Sequence, residues 1–243
     1  MPRHFRRVLF AFLSFMLLVN QGCGSETPGE EDRTMTSDPV SFLALGDSYT
    51  IGESVDSAQR WPVQLSALLQ REGIPASEPM IIARTGWTTD ELAEGIGAVG
   101  PTGPYDLVSL LIGVNNQYRG RGLEEYRAQL MDLLSEATAL AGGHPDRVLV
   151  LSIPDWGVMP FAEGRDRNQI GSEIDAFNEI KRKECEAAGI RYLDITGISR
   201  EAGTDSTLVA EDGLHPSGAM YSLWAEAALP LALEILRSDS IDP

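Results

Sequence analysis

Residues 42–50 read FLALGDSYT, and this stretch decides the fold prediction. An apolar run breaks at Gly46 and places Asp47 and Ser48 directly after what its composition predicts to be a buried β-strand. In parallel α/β sheets the loops at the carboxyl ends of the strands converge, and active sites collect there. Ser48 is therefore a candidate nucleophile, if the rest of the chain supplies a base, an orienting acid and donors for an oxyanion.

Outward from this stretch, short apolar runs alternate with segments of helical periodicity. Strand–helix alternation is typical of a parallel sheet with right-handed crossovers and helices on both faces. The sequence therefore predicts an α/β fold, a three-layer α/β/α sandwich with a five-stranded parallel sheet. The predicted strands cover residues 40–45, 80–83, 107–112, 148–153 and 192–195, and the clearest helices cover 123–140, 172–188 and 217–236, with others opening near Trp61 and Thr88.

The N-terminal segment has the layout of a secretory signal peptide. Three arginines precede the apolar run 8–19, which is too short to span a bilayer as a mature helix. Cys23 resembles the lipidated cysteine of bacterial lipoproteins, although Asn20 stands where that motif usually has Leu. We therefore expect export across the inner membrane and lipid anchoring in the bacterial cell envelope, periplasmic or at the surface. The predicted organisation is a signal peptide at 1–22, a polar tether at 23–39 and one domain at 40–243.

Composition narrows the classes of partner. The 243 residues carry a formal net charge of −17, which disfavours binding to nucleic acid or anionic lipid heads. Only Cys23 and Cys185 are present, so no disulfide framework is expected, and Cys185 falls in a helical pattern as a passive side chain. No phosphate loop, dinucleotide fingerprint or zinc motif occurs, and we expect no cofactor and no metal. Membrane contact is expected only through the lipid anchor, and the sequence indicates no oligomeric state.

Two histidines follow the predicted signal peptide, and they differ in position. His144 lies in a turn before the fourth predicted strand, at the end of the sheet opposite the converging loops. His215 follows the fifth strand, on the same side as Ser48, and Asp212 lies three residues before it. In a tight loop that carboxylate can reach the ring Nδ1 and fix the tautomer, although a helix cap would explain the pair equally well.

Oxyanion donors are also available after strands. Gly86 follows the second strand, and its N–H can approach a ligand with no side chain in the way. Asn115 follows the third strand, and its amide can point into the same crevice. Each alone would be read as a turn former. Four candidate parts after four different strands, all at one edge of one sheet, favour a catalytic site.

In this order the blocks resemble those of the SGNH/GDSL hydrolases. The matching segments are Gly46-Asp47-Ser48, Gly86, Gly113-Val114-Asn115 and Asp212-Gly213-Leu214-His215-Pro216. The resemblance implies a flavodoxin-like fold and a serine hydrolase acting on esters, with Ser48 as nucleophile, His215 as base and Asp212 as the orienting acid. It also implies an oxyanion hole from the Ser48 and Gly86 amides and the Asn115 side chain. Many members have Asp where this chain has Asn116.

The substrate is less constrained by the sequence. Trp87, Asn116, Asp155 and Trp156 are predicted to lie near the rim of the crevice as substrate contacts, whereas Glu53 and Arg119 are expected to be solvated loop residues. Aromatic and amide groups at a rim would suit a sugar or an aryl alcohol, and we expect short-acyl esters, such as O-acetylated carbohydrate, as substrates. A lysophospholipase or thioesterase, an acyltransferase with the same triad, and a non-catalytic binding protein remain alternatives.

Overall fold

The computed structural model describes residues 39–238. The predictions for the signal peptide, for lipidation at Cys23 and for nearly all of the tether fall on residues 1–38, outside the described residues.

Five parallel strands form one sheet in the order β2-β1-β3-β4-β5. The interior strand β1 pairs with β2 on one side, where Gly46 lies opposite Ala83, and with β3 on the other, where Gly46 lies opposite Leu111. Because β1, β3 and β4 are covered on both faces, every residue in them is buried. The predicted parallel sheet is thereby confirmed. The strands are β1 (Phe42–Gly46), β2 (Met80–Ala83), β3 (Leu107–Leu111), β4 (Val148–Leu151) and β5 (Arg191–Leu193).

Helices form the two outer layers. On one face α2 packs against α8, and on the other α5 packs against both α3 and α6. This is the predicted α/β/α sandwich. The α-helices are α1 (Ser48–Ile51), α2 (Trp61–Arg71), α3 (Thr89–Val99), α4 (Val114–Tyr118), α5 (Leu123–Leu140), α6 (Arg167–Ala188), α7 (Thr196–Arg200) and α8 (Gly218–Ser238).

The first strand and helix α6 begin at residues other than those predicted. The first strand begins at Phe42 rather than Val40, because Val40 forms an isolated bridge with Ala76. Helix α6 begins five residues earlier than predicted, at Arg167, because the Asp166 side chain accepts a hydrogen bond from the Gln169 amide at 3.0 Å.

Helix α8 is long and apolar enough to cross a membrane by length and composition. In the fold one face of α8 packs against α2 and the sheet, and this face buries the largest apolar side chains of the helix. Its buried large residues include Met220, Tyr221 and Trp224.

Candidate active site

The predicted nucleophile lies at the turn from β1 into α1. Gly46 ends the strand, and a Cβ at this position would collide with the Thr50 side chain and the Leu111 carbonyl. Asp47 caps α1, because its Oδ1 accepts a hydrogen bond from the Tyr49 amide at 3.0 Å. Ser48 is thereby held as the first residue of a helix, only 5% exposed, at the carboxyl end of β1.

The predicted base and acid lie together in the loop before α8. His215 is buried, and its Nδ1 lies 2.6 Å from Asp212 Oδ2. Asp212 Oδ1 accepts hydrogen bonds from the amides of Leu214 and His215, each at 2.9 Å. Partial burial alone would raise the pKa of Asp212, but the hydrogen bonds from His215, Leu214 and Ser54 hold that pKa well below its usual range. Asp212 is therefore a carboxylate, fixed against one nitrogen of the imidazole.

One cleft of about 190 Å³ brings the predicted parts together. Ser48 and His215 both line it, and the Tyr49 ring meets the His215 ring edge-on with centroids 5.6 Å apart. The full lining consists of Ser48, Tyr49, Thr85, Gly86, Val114, Asn115, Tyr118, Trp156, Phe161, Leu214 and His215.

The two predicted oxyanion donors line the same cleft. Gly86 has a φ of 87°, a conformation that favours glycine, and its carbonyl accepts a hydrogen bond from Arg119 Nη2 at 2.6 Å. Asn115 Nδ2 donates to the Trp87 carbonyl at 2.9 Å. An amide NH₂ carries two donors, so this bond fixes the Asn115 side chain and leaves one N–H for a ligand. Arg119, expected to be a solvated loop residue, thus supports the loop that carries Gly86 and also pairs with Glu91 at 3.1 Å.

Of the four predicted substrate contacts, only Trp156 lines the cleft. The Trp87 ring covers Gly95 in α3, where a Cβ would overlap it. Asn116 is buried and bonded to Thr89, whose amide it accepts from at 3.1 Å and whose hydroxyl it donates to at 2.7 Å.

Asp155 also lies away from the cleft. Its Oδ1 accepts from the Gly157 amide at 2.8 Å, and its Oδ2 forms an ion pair with Arg200 Nε at 2.9 Å. The rim placement predicted for Trp87, Asn116 and Asp155 is therefore corrected. These residues do follow the predicted strands, but their side chains pack or form hydrogen bonds within the protein and do not face the cleft.

An aromatic wall that contains the predicted contact Trp156 borders one side of the cleft. We define it as Tyr118, Trp156 and Phe161, whose ring centroids lie 5.4 to 6.4 Å apart. The guanidinium carbon of Arg165 lies within 5.5 Å of all three ring centroids. Such cation–π contacts stabilise the wall from the side of Arg165. Tyr118 and Phe161 are still 46% and 42% exposed, so apolar surface remains available beside Ser48.

Two buried ionisable side chains, Lys181 and Asp47, lie beneath the site. Lys181 of α6 is fully buried, and its Nζ donates to the carbonyls of Ile112 and Leu151 at 2.9 Å each, next to the ends of β3 and β4. Burial lowers the pKa of Lys181 to about 8. Burial raises the pKa of Asp47 to about 7, against the opposing effects of the Tyr49 amide and the Lys181 charge. No sequence pattern marks Lys181 as buried, because it is one of several basic residues in a helical stretch.

Residues 44–223 match the GDSL-like lipase/acylhydrolase family. The chain belongs to this family. Membership confirms the predicted class, an ester-hydrolysing serine hydrolase, and the predicted fold. A comparison with curated protein sequences gives no match.

Solved structures share the fold of this family member at low identity. One described as TesA is 21% identical, with a TM-score of 0.63, covering 81% of this chain and 99% of its own. A lipase/acylhydrolase from Enterococcus faecalis is 19% identical, with a TM-score of 0.61 and coverages of 82% and 96%. Axe2, an acetylxylan esterase from Geobacillus stearothermophilus, is 21% identical, with a TM-score of 0.61 and coverages of 79% and 94%.

Proposed function

We propose that this chain is a serine esterase in which Ser48, His215 and Asp212 form the catalytic triad. The observation that carries the proposal is that His215, paired through Nδ1 with Asp212, lines the same cleft as Ser48. Because Nδ1 of His215 faces the carboxylate, Nε2 is the ring nitrogen left to exchange a proton with Ser48.

In the proposed mechanism Nε2 of His215 takes the proton of the Ser48 hydroxyl while Ser48 Oγ attacks the ester carbonyl. The tetrahedral intermediate collapses, the alcohol leaves with the proton from His215, and Ser48 is acylated. Water, deprotonated by the same nitrogen, then attacks the acyl-enzyme, and the proton returns to Ser48 as the acid is released. Asp212 stays ionised throughout, stabilising the imidazolium.

The oxyanion would be bound by three groups at the same edge of the sheet. The Ser48 amide lies in the first turn of α1, where helical amides have no partner within the helix. The Gly86 amide and the second N–H of Asn115 come from the two loops that line the cleft. Removing one such donor typically costs about 10²- to 10³-fold in rate.

We propose short-acyl esters, such as O-acetylated carbohydrate, as the substrate class. A volume of about 190 Å³ is smaller than the ~300–1,000 Å³ typical of drug-sized pockets. The aromatic wall offers faces suited to a sugar ring or an aryl alcohol. The acetylxylan esterase among the structural relatives, at 21% identity, shares the fold of this chain.

The test is hydrolysis of aryl esters with acyl chains of two to twelve carbons. We expect a maximum at two to four carbons and a loss of roughly 10⁴-fold or more in Ser48→Ala. A maximum at long chains would favour the lipid-hydrolase alternative. Acyl transfer to added alcohols at the expense of hydrolysis would favour an acyltransferase. Turnover by Ser48→Ala at the wild-type rate would refute the triad.

We also propose that Cys23 carries the lipid that anchors the mature chain in the cell envelope. The support is the sequence alone, a basic and then apolar leader ending at this cysteine. Fractionation of cells that express Cys23→Ser tests it, because the variant should leave the membrane fraction. Retention there would refute the anchor.

A further inference from the structure

Ser54, three residues beyond the end of α1, has an unusual backbone. Its φ is 65°, and among residues 39–238 it is the one non-glycine residue with positive φ. This conformation is unfavourable for a residue with a Cβ, and such strain is kept where the surrounding structure gains from it. Glycine would form the same turn without strain, so the turn alone does not explain why a serine occupies this position.

The side chain supplies one. Ser54 Oγ donates a hydrogen bond to Asp212 Oδ2 at 2.7 Å, and this is the oxygen that faces His215 Nδ1 at 2.6 Å. The carboxylate thus has two donors on each oxygen, with the Leu214 and His215 amides on Oδ1. Within residues 39–238, Ser54 Oγ and the imidazole are the two groups that hold Oδ2, so Ser54 is the one that fixes the carboxylate independently of His215.

The same corner also contacts the oxyanion loop. The neighbouring Glu53 side chain accepts a hydrogen bond from the hydroxyl of Thr85, the residue before Gly86. Gly52, which ends α1 in the left-handed conformation, turns the chain toward both contacts. The segment after the nucleophile helix therefore connects to the acid–base loop on one side and to the oxyanion loop on the other.

We propose that Ser54 is a positioning residue for the esterase reaction, holding the Asp212 carboxylate in the orientation that His215 requires. The inference rests on the proposed triad. Ser54 does not line the cleft, so its effect should fall on the chemical steps and not on substrate binding.

The test compares Ser54→Ala with Ser54→Gly. Both remove the hydroxyl, but only glycine relieves the strain of a positive φ, so Ser54→Gly should have the higher Tm of the two. We expect kcat to fall about tenfold in both, in line with the loss of one charge-assisted hydrogen bond, with KM unchanged. Ser57→Ala, an exposed serine of the same loop, is the matched control and should keep the wild-type kcat.

A double-mutant cycle with Asp212→Asn separates positioning from general structure. If Ser54 acts through the carboxylate, Ser54→Gly should lower kcat much less in the Asp212→Asn protein than in the wild type. A wild-type kcat in Ser54→Gly, an effect confined to KM, or a full tenfold loss on top of Asp212→Asn would each overturn the inference. Ser48→Ala is assayed in parallel. Activity retained in Ser48→Ala would refute the triad, whereas the three outcomes above would refute only the role of Ser54.

Discussion

Two aspartates beside the cleft have opposite environments. Asp47 is fully buried, its Oδ2 has no hydrogen-bond partner within residues 39–238, and its pKa is raised to about 7. Asp212 has a side chain that is 31% exposed, and two donors bind each of its oxygens, so its pKa lies well below the usual range.

The number of hydrogen-bond donors around a carboxyl group, and not its nearness in sequence to the nucleophile, decides which aspartate can be the orienting acid. Asp47 is adjacent to Ser48, yet its environment favours the neutral form and its role is to cap α1. Asp212 lies far along the chain, but its loop delivers backbone and side-chain donors to a carboxylate that must stay ionised beside an imidazolium.

The largest expected effect separates the two aspartates by activity. Asp212→Asn should lower kcat by about 10⁴-fold, because an amide facing Nδ1 favours the wrong tautomer of His215. The free energy of unfolding should also fall at neutral pH, because a neutral amide replaces a carboxylate whose pKa is lowered by its hydrogen bonds. Steady-state kinetics with a short-chain aryl ester measures kcat, and urea unfolding measures the free energy of unfolding.

Asp47→Asn is the matched control, because it is the same isosteric change. Its Oδ1 can still accept the Tyr49 amide, so α1 keeps its cap and kcat should stay within about tenfold of the wild type. A greater loss of kcat in Asp47→Asn than in Asp212→Asn would reverse the assignment.

A second prediction concerns the cation that accompanies Asp47. Lys181→Met should lower the free energy of unfolding by about 2–4 kcal/mol, because it removes the buried donor to the Ile112 and Leu151 carbonyls. Urea unfolding measures this change. Its effect on kcat should remain below that of Asp212→Asn.

Lys183→Met provides the control for that variant. Lys183 lies on the same helix with a side chain 63% exposed, and it pairs with Glu179 at 3.1 Å on the surface. Exposed pairs contribute about 0–1 kcal/mol, so this change should be small. Equal destabilisation by the two methionine variants would show that Lys181 matters only through helix propensity.

The sequence predicted what depends on chain order. Strand–helix alternation predicted the sheet, and the blocks around Ser48, Gly86, Asn115 and His215 predicted which loops meet at its carboxyl edge. A loop assignment does not say where a side chain points, which is why Asn116 and Asp155 were misplaced.

Contacts between distant segments were beyond sequence reasoning. The bond from Ser54 to Asp212, the support of Gly86 by Arg119 and the burial of Lys181 each join residues from separate elements. Each of these residue types is common on surfaces, so neither composition nor periodicity marks them.

The smallest expected effect, a few degrees in Tm, tests the opposite pKa shifts through the pH dependence of stability. The unfolded-state pKa of an aspartate is about 3.9. Between about pH 4 and pH 7 folded Asp47 retains a proton that the unfolded chain has lost, so this group makes stability fall as pH rises through that range. Asp212 acts in the opposite sense: its contribution is complete above about pH 4 and is lost as pH falls below that value.

Thermal unfolding of the wild type and the two asparagine variants from pH 3 to pH 7.5 separates these contributions. Relative to the wild type, Asp47→Asn should gain in Tm as pH rises from 4 to 7, because the group whose ionisation is unfavourable has been removed. The loss caused by Asp212→Asn should instead shrink as pH falls below 4, where the wild-type carboxylate also begins to lose its advantage.

The range stops short of pH 8 because Lys181, whose pKa is lowered to about 8, makes stability rise with pH between about 8 and 10.5. A Tm difference for Asp47→Asn that stays constant from pH 4 to pH 7 would mean that Asp47 ionises as easily as Asp212, and the contrast between the two carboxyls would fail.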